Sequence, residues 1–395
     1  MRRLILVGIS TFLRFAGQFL FIKSISHLGE SLILQTLNLQ SLAVLIAGFS
    51  SGGIQTYLSK HIPIDKLQTA WAICSKNTAK YLLPSILVVV PAYFFINRIE
   101  TQLAATVFII ILAPLIAYSN NWQGLLTGLK RYPSLISVFF IQTFLFLILF
   151  LLKDYISSSF FTVSYPTVIV ISFILSYFTL SKKIFPSTTN AIIETDTIQK
   201  EVSSYRVMGI VLMTVGVAYP FLIRNILTQT YLIETVVNWD YLMRISTAYV
   251  SVSTFFIFTL FSSDLSHDNT KRYPFFICSF LLITSYLSVF YFFNQSIIEI
   301  LLSRKILLTS SELSSFIGFE IIRSFFTLVC LYNIIRGKTN KYIALELTNL
   351  IVSALAVFLI KPLLLEDSFI ILAGCFGFSF IAVYFINFIK IKKQT

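Results

Sequence analysis

Long apolar runs, repeated along the whole chain, leave it one kind of fold. They cover approximately 4–23, 31–58, 81–96, 103–124, 134–152, 160–180, 207–226, 239–262, 274–294, 312–335, 342–360 and 368–389. Most are long enough, at about 1.5 Å of helix rise per residue, to cross a hydrocarbon layer about 30 Å thick. Backbone groups in hydrocarbon must find their hydrogen bonds within the segment, so each run is read as a transmembrane helix. Composition supports this: 56 % of residues are hydrophobic and 12 % charged, against a charged share of roughly a quarter in soluble domains. The expected class is an all-α integral membrane protein with twelve spans. Pro84 and Pro91 fall inside the third span, where neighbouring helices can satisfy the freed carbonyls.

The longest polar interruption, SKKIFPSTTNAIIETDTIQKEVSSYR at 181–206, divides the spans six and six. The expected domains are therefore an N-terminal lobe at 1–180, an inter-lobe loop at 181–206 and a C-terminal lobe at 207–395. An even number of spans per half inserts both halves in the same orientation, as parallel repeats do. FLFIKSI at 19–25 and PFLIRNI at 220–226 echo one another at equivalent places in spans one and seven. Arg98, Lys153, Arg304, Lys305 and Lys361 lie in the segments on one side, against twenty Lys and Arg in those on the other. The richer side is read as cytoplasmic, with both termini there. The net charge of +13 thus reports topology and gives no reason to invoke nucleic acid. The first run carries Arg14 and no small-residue cleavage pattern, so it reads as a retained span rather than a secretory signal. Leu67, Trp71, Cys74 and Thr78 share one helical face within 63–80, which reads as a short surface helix connecting spans two and three.

Arginines inside the apolar runs point to function. Arg14 lies ten residues into its run, about 15 Å deep. Arg244 and Arg323 are similarly embedded, and Arg224 lies near the end of another run. A guanidinium keeps its charge, so in hydrocarbon it needs water, a partner or an anionic ligand. Ser10, Arg14, Gly17 and Gln18 form a polar stripe on span one, and Gln35, Asn38 and Ser41 follow on span two before Gly52 and Gly53, where a bend is expected. Asp240, Arg244, Thr247, Ser251 and Thr254 run down one face of span eight at steps of four, three, four and three. Such stripes are expected to face a wet interior, which makes Arg14, Gln18, Lys23, Asn38, Arg224 and Arg244 the leading binding candidates, followed by Asp240, Thr247, Ser251 and Arg323. Simpler readings stand beside these. Asp240 precedes Arg244 by four residues, and Glu320 lies three before Arg323, so both arginines can be neutralised within their own helices. Lys23 and Arg224 can equally reach toward outer headgroups.

Catalytic signatures are lacking. The sequence has no GxxxxGK[ST], HExxH or GxSxG pattern, His27, His61 and His267 read as loop residues, and the four cysteines are scattered without metal-ligand spacing. No catalytic residue, metal or cofactor is assigned; coupling to protons or sodium is left open.

Three patterns carry a family resemblance: TFLRFAGQFLFIKSISHLGESLILQTLNLQSLAVLIAGFSSGGIQTYLSK across spans one and two, NNWQGLLTGLKRYPSLISV closing span four, and the six-plus-six layout. With these the chain resembles the Wzx-type polysaccharide flippases of the multidrug/oligosaccharidyl-lipid/polysaccharide exporter superfamily. The resemblance implies two six-helix lobes forming a V around a central cavity. It also implies movement of undecaprenyl-pyrophosphate-linked sugar units, such as O-antigen repeats, to the outer leaflet of a bacterial inner membrane. Basic residues on spans one, two, seven and eight line the cavity in related lipid flippases; here that role passes to Arg14, Arg244, Lys23 and Arg224, and span two carries no embedded cation. Its partners would be the lipid-linked glycan, membrane lipids, a polysaccharide polymerase and a chain-length regulator. Two rivals remain. A drug or cation exporter of the same superfamily should place acidic groups in the cavity, whereas the embedded excess here is basic. A membrane-embedded polymerase or glycosyltransferase usually needs large outer loops, which this chain lacks.

Overall fold

A computed structural model describes residues 2–59, 67–97, 103–185, 195–229, 231–267, 272–302, 308–336, 338–359 and 365–392. The described residues are helical apart from turns and short connections, in the order α1 (Arg2–Ile25), α2 (Glu30–Ser51), α3 (Ile54–Ser59), α4 (Leu67–Ile96), α5 (Leu103–Gly128), α6 (Tyr132–Leu151) and α7 (Ser158–Ile184). There follow α8 (Thr195–Met213), a π-helical turn at Thr214–Ala218, α9 (Tyr219–Leu227), α10 (Ile233–His267), α11 (Arg272–Leu302), α12 (Ser310–Ile335), α13 (Thr339–Leu359) and α14 (Leu365–Lys392). Among the described residues nine helices, including α8 to α9 taken as one, are long and apolar enough to cross a membrane. Their outward side chains are large and apolar, among them Phe12, Val88, Phe95, Phe178 and Phe292. In water such a surface would aggregate, and in a bilayer it is solvated.

The helices group into two compact units, Met1–Asn225 and Ile226–Thr395. The first unit takes in α8 and α9 as far as Asn225, and residues 195–206 of the expected inter-lobe loop form the first turns of α8. Glycine explains why. The Cβ of an alanine at Gly209 would lie 1.8 Å from the Gly53 nitrogen, and one at Gly53 would lie 1.6 Å from the Tyr205 carbonyl oxygen. Two backbones touch here, and Gly53 also holds a φ of +73° that favours glycine. The expected bend at Gly52 and Gly53 is present, since α2 stops at Ser51 and the short α3 begins at Ile54.

Of the stretch 63–80 expected as a surface connector, 63–66 lie outside the described residues and 67–80 are the N-terminal part of α4, continuous through Pro84 and Pro91. Its Leu67, Cys74 and Thr78 are buried because they meet protein rather than headgroups. Asn121 of α5 donates to the Thr78 hydroxyl at 2.9 Å, and the Trp71 ring meets Trp122 edge-on at 5.9 Å. Span seven is broken. Pro220 has no N–H for the ladder and its ring crowds the carbonyl four residues back, which accounts for the π turn just before it.

The core of the first unit joins Leu42, Ile46, Val89, Ile109, Ile116 and Phe221 from α2, α4, α5 and α9. In the second unit Phe275, Ile283, Leu328 and Leu331 fill the space between α11 and α12. Phe369 of α14 stacks on Trp239, meets Phe316 edge-on and lies tilted against Phe319.

Candidate functional site

In the first unit, α1 lies against α6. The Thr143 hydroxyl donates to the Leu13 carbonyl at 2.7 Å, and Gly17 leaves Thr143 room to approach. The outward stripe of α1 is Ile5, Ile9 and Phe12, all exposed. Arg14 sits about 140–180° around the helix from each of them, on the side that also carries buried Val7, Ser10 and Phe21. Arg14 is nevertheless solvent-accessible, and its guanidinium lies 5.9 Å from the centre of the Phe139 ring on α6. Its access to solvent therefore comes from the protein side of the helix. No ion pair of Arg14 is found among the described residues. Gln18, one turn on, is half-buried on the same side. Lys23 is half-buried, with its ammonium 5.7 Å from the Phe150 ring.

Arg224 behaves differently. It is buried, at 3 % exposure, and donates to the Asn38 side-chain oxygen at 2.7 Å. Asn38 in turn donates from its amide nitrogen to the Asn97 side-chain oxygen at 2.8 Å. Three helices thus contribute to one chain of bonds: α9 brings the cation, α2 its acceptor, and the end of α4 the next amide. The headgroup-seeking alternative for Arg224 is not what the structure shows, since an arginine reaching for headgroups would be exposed. The structure joins Asn38 to Arg224, a pairing that their separate spans gave no reason to expect. Asn97 was not among the sequence candidates, because between Ile96 and Arg98 it reads as the edge of a span.

In the second unit both embedded arginines meet a carboxylate on their own helix. Arg244 donates from Nε to Asp240 at 2.5 Å, with Asp240 buried and Arg244 about one-fifth exposed. Arg323 lies 3.8 Å from Glu320, which is fully buried, and donates to the Thr247 hydroxyl of α10 at 3.4 Å. The i,i+4 and i,i+3 spacings thus form the internal pairs they permit. Thr247 itself is exposed. The side chain of Ser251 lies outside the described residues.

Hydroxyl members of the stripes need no water. Ser10 donates to the Val7 carbonyl, Ser41 to Leu37 and Thr254 to Val250, each within its own helix. Spacing alone could not separate these self-satisfied hydroxyls from Arg14, Gln18 and Asn38.

No family model and no curated protein matches the sequence. Its fold does match solved structures. A multidrug-resistance MATE family transporter of the MOP superfamily, in an outward-facing conformation, superposes with a TM-score of 0.66 at 14 % identity, over 100 % of this chain and 96 % of that one. MATE in complex with MaD5 gives 0.64 at 13 % identity over 100 % and 97 %. A MOP superfamily transporter from Pyrococcus furiosus gives 0.59 at 13 % over 99 % and 95 %, and its binding pocket is described as reversed in polarity, suggesting a different function for that protein. At such identities the likeness speaks for architecture: the chain is a multi-pass membrane protein with the fold of MATE-type transporters of the MOP superfamily.

Proposed function

We propose that this chain is a flippase that carries undecaprenyl-pyrophosphate-linked oligosaccharide units, such as O-antigen repeats, from the cytoplasmic to the outer leaflet of a bacterial inner membrane. The observation that carries this reading is Arg14: an embedded cation, reached by solvent from the protein side of α1, with no carboxylate to cancel it among the described residues. A diphosphate headgroup cannot cross hydrocarbon, whereas its polyprenyl tail is at home there. The protein need only shelter the headgroup in a wet cationic cleft while the tail trails in lipid. The fork of Arg14 matches phosphate oxygens. Gln18 one turn on offers an amide to sugar hydroxyls. Lys23 and Arg224 add positive potential, and Arg224 is held in place through Asn38.

Rocking of two helical lobes then exposes the cleft to each leaflet in turn. Both termini are cytoplasmic in this reading, and a polysaccharide polymerase with its chain-length regulator takes the product on the far side. The Pyrococcus furiosus transporter, with its reversed pocket polarity, supports the idea that this architecture accepts ligands of different charge.

A second reading, export of multidrug-type cations, is favoured by one observation: the fully buried carboxylate of Glu320 is of the kind that attracts a cation or a proton. The two part in cells lacking the native protein. Wild-type chain is expected to restore surface polysaccharide, while Arg14→Ala inserts normally and leaves lipid-linked units on the inner leaflet. Normal polysaccharide with Arg14→Ala, or drug resistance as the sole rescued trait, overturns the flippase reading. A polymerase would be recognised by a deletion strain that still exports single repeat units.

A further inference from the structure

Glu320 poses a physical problem that its pairing with Arg323 does not solve. It is fully buried on α12, and neither carboxylate oxygen has a hydrogen-bond partner. Its nearest cation, the Nε of Arg323, stands 3.8 Å away, an ion pair too long for a hydrogen bond. The groups beside it are equally unsatisfied. The Ser246 hydroxyl of α10 lies within range of this carboxylate but makes no hydrogen bond of good geometry, and the buried Tyr286 hydroxyl of α11 stands in the field of both Glu320 and Arg323. Tyr286 is in turn stacked on Tyr249 of α10, with ring centroids 3.7 Å apart. Asp240 and Arg244, also on α10, are engaged with each other. A fully buried carboxylate whose paired cation stands 3.8 Å away is a costly arrangement if permanently ionised, and far less so once protonated.

Arg323 meanwhile has a second attachment. Its guanidinium reaches Thr247, which is exposed, so it stands between a buried carboxylate and the surface of the second unit. We propose that Glu320 is a proton-binding switch for Arg323: ionised Glu320 keeps the guanidinium as an internal pair, and protonated Glu320 releases it to an oxyanion arriving past Thr247. Proton and anion then load together, because the proton removes the competitor for the cation. Protonated, the carboxylic acid can donate to one of Ser246 and Tyr286 and accept from the other through its carbonyl oxygen. The choice of a diphosphate as the anion rests on the flippase reading; the switch itself needs only an oxyanion.

The test uses the full chain in lipid nanodiscs with inorganic pyrophosphate as probe, titrated at about pH 5.5 and about pH 8. Glu320→Gln mimics the protonated acid. It is expected to bind pyrophosphate about tenfold more tightly than wild type at the alkaline pH and equally at the acid pH. Using this ratio removes the titration of pyrophosphate itself, which both proteins share. Arg323→Ala should bind weakly and respond to the Glu320→Gln change no longer. Calorimetry of the wild type in two buffers of different ionisation enthalpy reads the same event without a variant: net proton uptake on binding is expected, whereas a pyrophosphate that merely sheds its protons gives net release. A Gln-to-wild-type ratio that is constant with pH, or net proton release, overturns the switch and leaves the flippase reading standing. Absence of pyrophosphate binding by the wild type at both pH values overturns both.

Discussion

The two units hold embedded arginines by different chemistry. In the first, Arg224 donates to the neutral oxygen of Asn38, and Arg14 keeps company with the Phe139 ring. In the second, Arg244 and Arg323 each face a carboxylate on their own helix. A neutral acceptor orients a guanidinium and leaves its charge in force; a carboxylate cancels the charge until something protonates or displaces it. Arg14 in the first unit is therefore built to present positive charge permanently, and the paired arginines of the second unit to present it on condition.

The largest expected effect breaks the permanent side. Arg14→Ala should lower transport by at least about 100-fold with insertion unchanged, and Arg14→Lys should recover only part of it, since a point charge replaces a fork. Transport and membrane-insertion assays run side by side check this. Next comes the packing that brings Arg224 to Asn38. Gly209→Ala forces a methyl into the backbone at Gly53 and should cost about 3 kcal/mol or more, read as a collapse of the thermal transition in detergent. Asn38→Leu removes the acceptor and leaves the buried guanidinium short of one bond, for a loss of about 2–3 kcal/mol. Asn38→Asp sharpens the comparison by giving the first unit the chemistry of the second: stability should be largely kept, with Asn97 turning its amide to donate, while pyrophosphate binding falls severalfold.

The converse change, Asp240→Asn, should raise pyrophosphate affinity about three- to tenfold by freeing Arg244. Thr247→Val is the smallest change. Its bond to Arg323 is 3.4 Å long, so a stability change under about 1 kcal/mol is expected by thermal unfolding.

Hydropathy made the spans legible because a bilayer demands long apolar runs whatever their neighbours are. It also located the embedded arginines and both intrahelical pairs, since i,i+3 and i,i+4 geometry is local. What it could not supply is any relation between helices. Asn97 falls just past the third expected span, and its bond to Asn38 crosses 59 positions of sequence. The burial of the Leu67, Cys74 and Thr78 face is likewise a tertiary fact: an apolar stripe fits a membrane surface and a neighbouring helix equally well until α5 is seen to cover it. The packing of α8 into the first unit depends on Gly53 and Gly209, which lie in separate spans and give no local sign of contact. The ten candidates from spacing fall into a bonded set, the half-buried Gln18 and Lys23, the solvent-accessible Arg14 and, in Ser251, a side chain outside the described residues.

The central claim is that an uncancelled guanidinium at Arg14 serves an anionic headgroup. Proteoliposomes loaded with a fluorescent polyprenyl-pyrophosphate-linked sugar test it most directly, with leaflet exchange followed by a membrane-impermeant quencher. Exchange that depends on the protein, fails with Arg14→Ala and is untouched by cationic dyes is the predicted result. Equal exchange with and without Arg14, or transport of the cationic dye in place of the lipid, would contradict it.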